Sequence, residues 1–163
     1  MAPLLCRSLK SGKDMVIARE LILEQISKCE KKSFSRTETL DFDVEFKKRN
    51  VEFFVYLEDD ANGSSVHVVA YLAIAHVKPG RSVVLNKICV EPTYRSKGLG
   101  TALLGDLVVN LRRRGKSTLQ LWADERNTVA LKLYGRLGFE TVSRVANYYG
   151  LNRNGLSMVL YIS

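Results

Sequence analysis

The sequence predicts an α/β fold: a single domain over residues 1–163, with a mixed central β-sheet of about six to seven strands flanked by about four helices. Two observations favour this class. From residue 52 onward, strand-like apolar runs alternate with amphipathic segments of helical period. The length of 163 residues suits one domain, and 46% hydrophobic with 26% charged residues are ordinary globular proportions.

The first part of the chain predicts a short strand and two helices. Residues 4–8 have strand character, and residues 12–30 place apolar side chains at helical spacing behind Ser11. A second helix is expected to begin near Thr37 and to end in the basic run at residues 47–50, because cations favour a helix C-terminus.

Further along the chain, strand and helix signals alternate. Strands are predicted at residues 52–58, 66–77, 83–90, 118–123, 139–146 and 156–162. The turn residues 60–63 join the first two of these strands into a β-hairpin. Helices are predicted at residues 98–113 and 128–137, stopped by Gly115 and Gly138.

Composition limits the partners. Lys and Arg outnumber Asp and Glu by 25 to 17, and the net charge of +8 favours anionic partners such as nucleic acid, acidic protein surfaces or a polyphosphate cofactor. No stretch approaches the ~18 apolar residues of a membrane-spanning helix, so neither a signal peptide nor a membrane partner is expected. Three widely spaced cysteines and two histidines favour a reducing compartment, with no disulfide framework and no metal.

A glycine-containing loop follows the predicted strand 83–90 and leads into a helix. Its residues are Arg95, Ser96, Lys97, Gly98, Leu99, Gly100 and Thr101. A loop at a helix N-terminus points N–H groups outward, and its glycines let an anion approach, so the segment predicts phosphate binding. The glycine spacing matches neither the Walker nor the full Rossmann pattern, and a plain strand-to-helix turn is the alternative.

Residues 90–104 resemble the signature of the GNAT superfamily of acetyl-CoA-dependent N-acetyltransferases. That signature has Gln or Arg, two residues, Gly, one residue, and Gly or Ala between a strand and a helix; Arg95, Gly98 and Gly100 match it. Residues 121–140 are similar to the family's second segment, Asn-x-x-Ala-x-x-x-Tyr-x-x-x-Gly-Phe, with Asn127 and Tyr134 in place. The two segments stand in the order that the family has.

The resemblance implies acetyl-CoA as co-substrate. Main-chain groups at Ile88, Cys89 and Val90 would pair with the pantetheine arm, and the loop of residues 95–101 would hold the pyrophosphate. Asn127 and Tyr134 would also contact the cofactor. In the chemistry, the main chain at Val90 would stabilise the oxyanion, and Tyr134 would protonate the leaving thiolate. An ordinary helix cap at Asn127 and a core tyrosine with a satisfied hydroxyl are the alternatives.

No general base stands out. The strand positions where related sub-families carry a base are Val84 and Trp122 here, and neither side chain accepts a proton. Asp124 lies on the same strand face as Trp122, and Glu30 ends the first predicted helix, so these two acids are the candidates. A water relay, or no dedicated base, is the alternative.

Tyr148 and Tyr149 resemble the tyrosine-bearing hairpin of protein N-terminal and ribosomal-protein alanine acetyltransferases, and Phe34 resembles their loop after the first helix. Those enzymes usually carry an acidic pair and Ala before a Met, of which this chain keeps only Met158. The resemblance predicts acetyl transfer to a protein or peptide N-terminal α-amine by direct attack in a ternary complex. It also implies that the enzyme is cytoplasmic, with an additional nuclear location, and that it associates with the ribosome. A monomer or weak dimer is expected. Tyrosines that only fill a half-buried strand are the alternative.

Other functions remain open on the same fold. An acetyltransferase for lysine, polyamines or other small amines is one, although the charge of +8 indicates no acidic polyamine pocket. A non-catalytic module that binds CoA or RNA is another, and the lack of a clear base supports it. The basic run at residues 112–116 either contacts RNA or complements a helix dipole.

Overall fold

The computed structural model describes residues 5–8, 16–62, 65–77 and 80–163. Eleven strands and helices follow one another in these residues: β1 (Leu5–Ser8), α1 (Val16–Ser33), α2 (Phe42–Lys47), β2 (Val51–Asp59), β3 (Val66–His76), β4 (Ser82–Val90), α3 (Leu99–Arg113), β5 (Thr118–Asp124), α4 (Thr128–Arg136), β6 (Glu140–Gly150) and β7 (Arg153–Tyr161). A 3-10 helix, Pro92–Tyr94, lies between β4 and α3 and is absent from the sequence prediction. None of the described helices is long and apolar enough to cross a membrane.

The strands form one sheet in the order β1-β2-β3-β4-β5-β7-β6. The β4–β5 pair is parallel, whereas the β1–β2, β5–β7 and β6–β7 pairs are antiparallel, so the sheet is mixed. Parallel neighbours need a crossover connection, and α3 supplies it between β4 and β5. The predicted α/β class, with about six to seven strands and about four helices, is confirmed.

The chain divides into two compact units. One comprises Met1–Ile74 and Lys87–Leu104, and the other comprises Ala75–Asn86 and Gly105–Ser163. The prediction of one domain over residues 1–163 stays a prediction.

Each unit contains buried apolar residues. In the first unit, α1 buries Ile22, Ile26 and Cys29, which recur every three or four residues and so share one helix face. The strands β2 and β3 are buried through their central residues. In the second unit, β5 alternates buried Leu119 and Leu121 with more exposed residues, the pattern of a strand with one face on the core.

The second helix begins later than predicted. It starts at Phe42 rather than near Thr37, because Asp41 caps it: the Asp41 carboxylate accepts the Val44 N–H at 3.2 Å. The predicted start of the first helix behind Ser11 lies outside the described residues, and α1 continues past the predicted end at residue 30.

The last hairpin is longer than predicted. β6 continues to Gly150 and β7 already begins at Arg153, so Tyr148 and Tyr149 belong to a strand and not to a loop between strands. Left-handed φ values of 56° at Asn147 and 126° at Gly150 accompany shifts in the β6–β7 register. Bulged strands bend and twist locally. Because a bulge interrupts the alternation of a regular strand, the sequence pattern does not show that β6 continues beyond it.

Candidate active site

A tight loop connects β4 to α3. Ser96 and Gly98 have φ values of 62° and 78°, in the left-handed region. Such residues turn successive N–H groups toward one side and form a concavity that binds anions. Within the described chain no acceptor contacts the N–H groups of residues 96–98, and the first N–H groups of α3, including those of Gly100 and Thr101, have no acceptor four residues earlier in the helix. The loop therefore has the donors that a pyrophosphate group requires.

The two basic side chains of the loop have different surroundings. The Arg95 guanidinium donates to the Val90 carbonyl at 3.0 Å and to the Ser33 hydroxyl at 2.8 Å, so it ties the end of β4 to the end of α1. The Lys97 ammonium lies 5.0 Å from the centre of the Tyr94 ring and is exposed. Lys97 is thus the freer of the two cations for an anionic ligand, and Arg95 also has a structural role.

The end of β4 extends past its pairing with β5. That ladder joins Ser82–Leu85 to Thr118–Leu121, so Ile88, Cys89 and Val90 lie beyond it. The Cys89 side chain points into the core, where its sulfur lies 3.6 Å from that of Cys29. Because this segment lies beyond the β4–β5 ladder, an extended ligand could pair with its main-chain groups as an added strand does.

Glu30 is buried, with 1% of its surface exposed, and its carboxylate is fully engaged. Oε2 accepts a short hydrogen bond from the Tyr71 hydroxyl, and Oε1 accepts the Leu40 N–H at 3.1 Å. The Lys87 ammonium lies 3.2 Å from Oε1. Burial raises the pKa of Tyr71, so its phenol stays protonated and donates. Both oxygens of the Glu30 carboxylate are therefore already occupied by donors of the protein.

Asp124 is also engaged. It accepts the Arg126 N–H at 2.9 Å and forms an ion pair with Arg153, whose Nη2 is 2.7 Å from Oδ2. Burial raises the pKa of Asp124, but the hydrogen bonds from Arg126 and Arg153 outweigh burial, and the net pKa is lowered. A lowered pKa makes Asp124 a weaker base than a free aspartate.

The residues of the second motif lie at the two ends of α4. Asn127 is the N-cap, and its side-chain oxygen accepts the Ala130 N–H at 3.1 Å. Tyr134 is 7% exposed and packs against Phe139 with ring centres 5.6 Å apart. Burial raises the pKa of Tyr134 to about 12. Among the described residues, none forms a hydrogen bond with its hydroxyl. Tyr134 thus combines a protonated phenol with a hydroxyl that is not committed to a structural bond.

The predicted substrate tyrosines form an aromatic cluster with Trp122. The Tyr148 ring stacks on the Trp122 indole, with centres 4.2 Å apart and planes 7° from parallel. Tyr149 contacts Tyr148 edge-on at 4.9 Å. Trp122 and Tyr148 remain 36% and 47% exposed. Trp122 was not among the predicted site residues, although the alternation of β5 puts it on the exposed strand face.

A set of polar contacts, which the sequence analysis missed, holds the β6–β7 hairpin next to this cluster. Arg144 forms two hydrogen bonds with the Glu125 carboxylate, at 2.7 and 2.9 Å. The Asn154 amide donates to Glu125 at 2.8 Å, and its oxygen accepts the Asn147 N–H at 3.1 Å. These donors, Arg144 first, lower the pKa of Glu125 to about 2. Nothing in the residue spacing relates Glu125 to Arg144, because the pairing needs the strand order of the folded sheet.

The predicted site residues therefore fall into two groups, one in each unit. Ile88, Cys89, Val90, the loop of residues 95–101 and Phe34 belong to the first unit, and Asn127, Tyr134, Tyr148 and Tyr149 belong to the second. The Phe34 ring lies beneath the Lys87 ammonium, 3.7 Å from its centre. Lys87 was not among the predicted residues. The described residues contain no cluster of His, Cys, Asp and Glu that could hold a metal ion.

Comparison with known proteins gives consistent results. The model of the acetyltransferase (GNAT) family matches residues 19–139. The ribosomal protein bS18-alanine N-acetyltransferase of Escherichia coli (strain K12) is 40% identical over 81 residues, 50% of this chain and 54% of that protein. An uncharacterized N-acetyltransferase of Methanocaldococcus jannaschii is 33% identical over 95 residues, 57% of this chain and 41% of that protein. The chain spans about half the length of the curated relatives it matches.

Two solved structures have the same fold. The ribosomal-protein-S18-alanine N-acetyltransferase from Escherichia coli superposes with a TM-score of 0.77 at 24% identity, covering 99% of this chain and 95% of that chain. A chain of the NatC complex bound to Gag peptide and CoA also gives a TM-score of 0.77, at 20% identity, covering 98% and 99%. Because the family model covers most of the chain and includes both motif segments, the chain belongs to the acetyltransferase (GNAT) family.

Proposed function

We propose that this chain transfers the acetyl group of acetyl-CoA to the N-terminal α-amine of a protein or peptide, by direct attack within a ternary complex. The observation that carries the proposal is Tyr134: a buried phenol with its pKa raised to about 12 and, among the described residues, no hydrogen-bond partner. A thiolate leaving group needs a proton, and such a phenol is an acid that stays protonated until it is used.

The proposed binding of acetyl-CoA uses main-chain donors. The N–H groups of residues 96–101 hold the pyrophosphate, and Lys97 adds a positive charge at the rim of the loop. Main-chain groups at Ile88, Cys89 and Val90 pair with the pantetheine arm. Asn127 contacts the cofactor in addition to capping α4. The left-handed loop and the strand end beyond the β4–β5 ladder support these assignments.

The proposed chemistry requires one acid and a neutral amine. The amine nitrogen attacks the thioester carbonyl carbon. The main-chain N–H of Val90 stabilises the negative charge that develops on the carbonyl oxygen. The C–S bond then breaks with its electron pair on sulfur, and Tyr134 donates a proton to that sulfur. The amine proton passes to water, because Glu30 and Asp124 are both held by other partners. Tyr134 then recovers its proton from solvent.

The acceptor assignment rests on the aromatic residues and on the relatives. Phe34, Tyr148 and Tyr149 would contact the first residues of the peptide, and the stack on Trp122 holds the Tyr148 ring in place. Similar proteins include enzymes named for acetylating the alanine of ribosomal protein bS18, and a solved complex that contains a Gag peptide. We accordingly propose a cytoplasmic enzyme that meets its substrate at the ribosome. The nuclear location and the monomeric or weakly dimeric state stay predictions.

The proposal is tested by free-thiol release from acetyl-CoA with three acceptors in parallel. These are peptides with a free N-terminus, the same peptides with a blocked N-terminus and one internal lysine, and spermidine. We expect turnover only with free N-termini. Turnover confined to lysine or spermidine would assign the other acetyltransferase functions. Binding of acetyl-CoA without turnover on any acceptor would favour the non-catalytic module, which the engagement of both Glu30 and Asp124 supports as second candidate.

A further inference from the structure

The loop between α1 and α2, residues 34–41, is attached to Glu30 at both ends. At its start, the Phe34 N–H donates to the Glu30 main-chain carbonyl at 2.9 Å, which adds a last turn to α1. Near its end, the Leu40 N–H donates to the Glu30 carboxylate at 3.1 Å. One buried residue therefore fixes where the loop begins and where it returns to the core.

Lys87 holds the middle of the same loop. Its ammonium donates to the Glu38 carbonyl at 2.7 Å, lies 3.2 Å from the Glu30 carboxylate, and faces the Phe34 ring at 3.7 Å from the ring centre. The Lys87 ammonium thus has a main-chain acceptor, a carboxylate and an aromatic face as partners at the same time. The Lys87 side chain is only 11% exposed, so water competes weakly for these contacts.

The arrangement places a charge directly against the residue proposed to meet the acceptor. A cation over an aromatic face is attractive, and the attraction increases when the ammonium is desolvated. One face of Phe34 is thereby occupied by Lys87, and the orientation of the ring is set by a side chain of β4. Lys87 differs in this from Lys97. Lys97 is exposed, whereas Lys87 is nearly buried and pairs with a buried carboxylate.

We infer that Lys87 is a positioning residue for acceptor binding: together with Glu30 it holds the loop of residues 34–41, and with it Phe34, in the conformation that receives the peptide. The inference rests on the proposed function for its choice of acceptor. Within the described chain Lys87 has no contact with the loop of residues 95–101, so its effect is expected on the acceptor and not on acetyl-CoA.

The experiment compares Lys87→Met with Lys87→Arg. Methionine keeps an unbranched chain of similar length but removes the charge and all three donors, whereas arginine keeps both. For Lys87→Met we expect the peptide KM to rise about tenfold, the scale of ordering an immobilised contact side chain on binding. We expect kcat and the acetyl-CoA Kd to stay within about twofold, the signature of lost uniform binding. Lys87→Arg should have a peptide KM close to that of the wild type.

A second pair of variants controls for folding. Lys87→Met leaves the Glu30 charge buried without its cation, which alone destabilises a protein. The double variant Glu30→Gln/Lys87→Met removes that charge and should show the same rise in peptide KM. Lys28→Met is the matched surface control, because Lys28 on α1 pairs with Glu24 at 2.7 Å and is 67% exposed. It should leave both constants unchanged.

Amide hydrogen exchange separates this inference from the proposed function. The Leu40 amide should exchange faster in Lys87→Met and in the double variant than in wild type or Lys28→Met, whatever the acceptor is. A wild-type protein inactive on free N-termini would overturn the proposed function while this exchange test still reports on the loop. Unchanged Leu40 exchange, or a peptide KM that does not change while the loop loosens, would overturn the role of Lys87. Equal losses in acetyl-CoA and peptide affinity would overturn it as well.

Discussion

Gly155 allows the Tyr148 ring to reach Trp122 across β7. A Cβ atom built on Gly155 would lie 2.7 Å from Cγ, 2.8 Å from Cβ and 2.9 Å from Cδ1 of Tyr148. Gly155 is paired with Asp124 of β5 on one side and with Val145 of β6 on the other. Its φ is outside the left-handed region, so alanine is compatible with the backbone and only the contact with Tyr148 opposes it.

We therefore predict that Gly155→Ala displaces the Tyr148 ring from Trp122. The stack contributes about 0.5–1.5 kcal/mol beyond area burial, and overpacking a fitted site costs about 1–3 kcal/mol. The clash includes Cβ of Tyr148, which no side-chain rotation moves, so the ring cannot relieve it alone and the upper part of the overpacking range applies. The expected loss in the free energy of unfolding is about 3 kcal/mol.

Trp122 is the single tryptophan of the chain, so intrinsic fluorescence reports on the stack without labelling. We expect Gly155→Ala to change the emission maximum and quantum yield, and Tyr148→Leu, which removes the ring without a clash, to produce a similar change. Gly105→Ala is the control, since nothing lies within 4 Å of a Cβ at that helical position. It should leave emission unchanged. Native-like emission together with native stability in Gly155→Ala would refute the steric argument.

Other predictions follow from the same geometry. Tyr134→Phe should lower kcat by ~10²–10⁴-fold with an unchanged acetyl-CoA Kd by calorimetry, since only the proton donor is lost; wild-type turnover would exclude Tyr134 as the acid. Gly98→Val, at φ 78°, should weaken acetyl-CoA binding at least about tenfold while circular dichroism stays native. Because the pKa of Glu125 is lowered from 4.5 to about 2, its pairing stabilises the fold above about pH 4.5. That stability is lost as the pH falls toward 2. In an acid titration, the Arg144→Gln variant should not show this loss of stability.

The sequence was sufficient wherever local pattern decides structure. The alternation of apolar residues predicted β5. Asn127 indicated the start of α4, because a helix cap acts on the next three residues. It was insufficient where distant residues decide. The prediction of a helix start near Thr37 was wrong. The Leu40 N–H donates to the carboxylate of Glu30, ten residues before Leu40, and this bond holds the stretch as a loop. No local rule contains that bond.

The aromatic and ionic contacts of the site show the same limit. The stack of Tyr148 on Trp122 depends on β7 lying between β5 and β6 and on a glycine at the crossing point. Lys87 reads in the sequence as an ordinary strand lysine, since its contacts with Glu30 and Phe34 join residues more than fifty positions apart. Motif spacing thus identified the residues proposed for chemistry, whereas the residues that position them emerged only from the fold.

Both candidate bases, Glu30 and Asp124, are already engaged, and this bears on the choice of amine. Glu30 and Asp124 are both committed to cations, so in the proposed mechanism the acceptor has to arrive already neutral. At pH 7 the neutral fraction of an α-amine with a pKa of ~8 exceeds that of a lysine with a pKa of ~10.4 by roughly two hundredfold. An enzyme that supplies an acid for the thiolate but no base for the amine therefore favours N-termini through the chemistry of the acceptor itself. This preference is independent of the aromatic cluster, and the two act in the same direction.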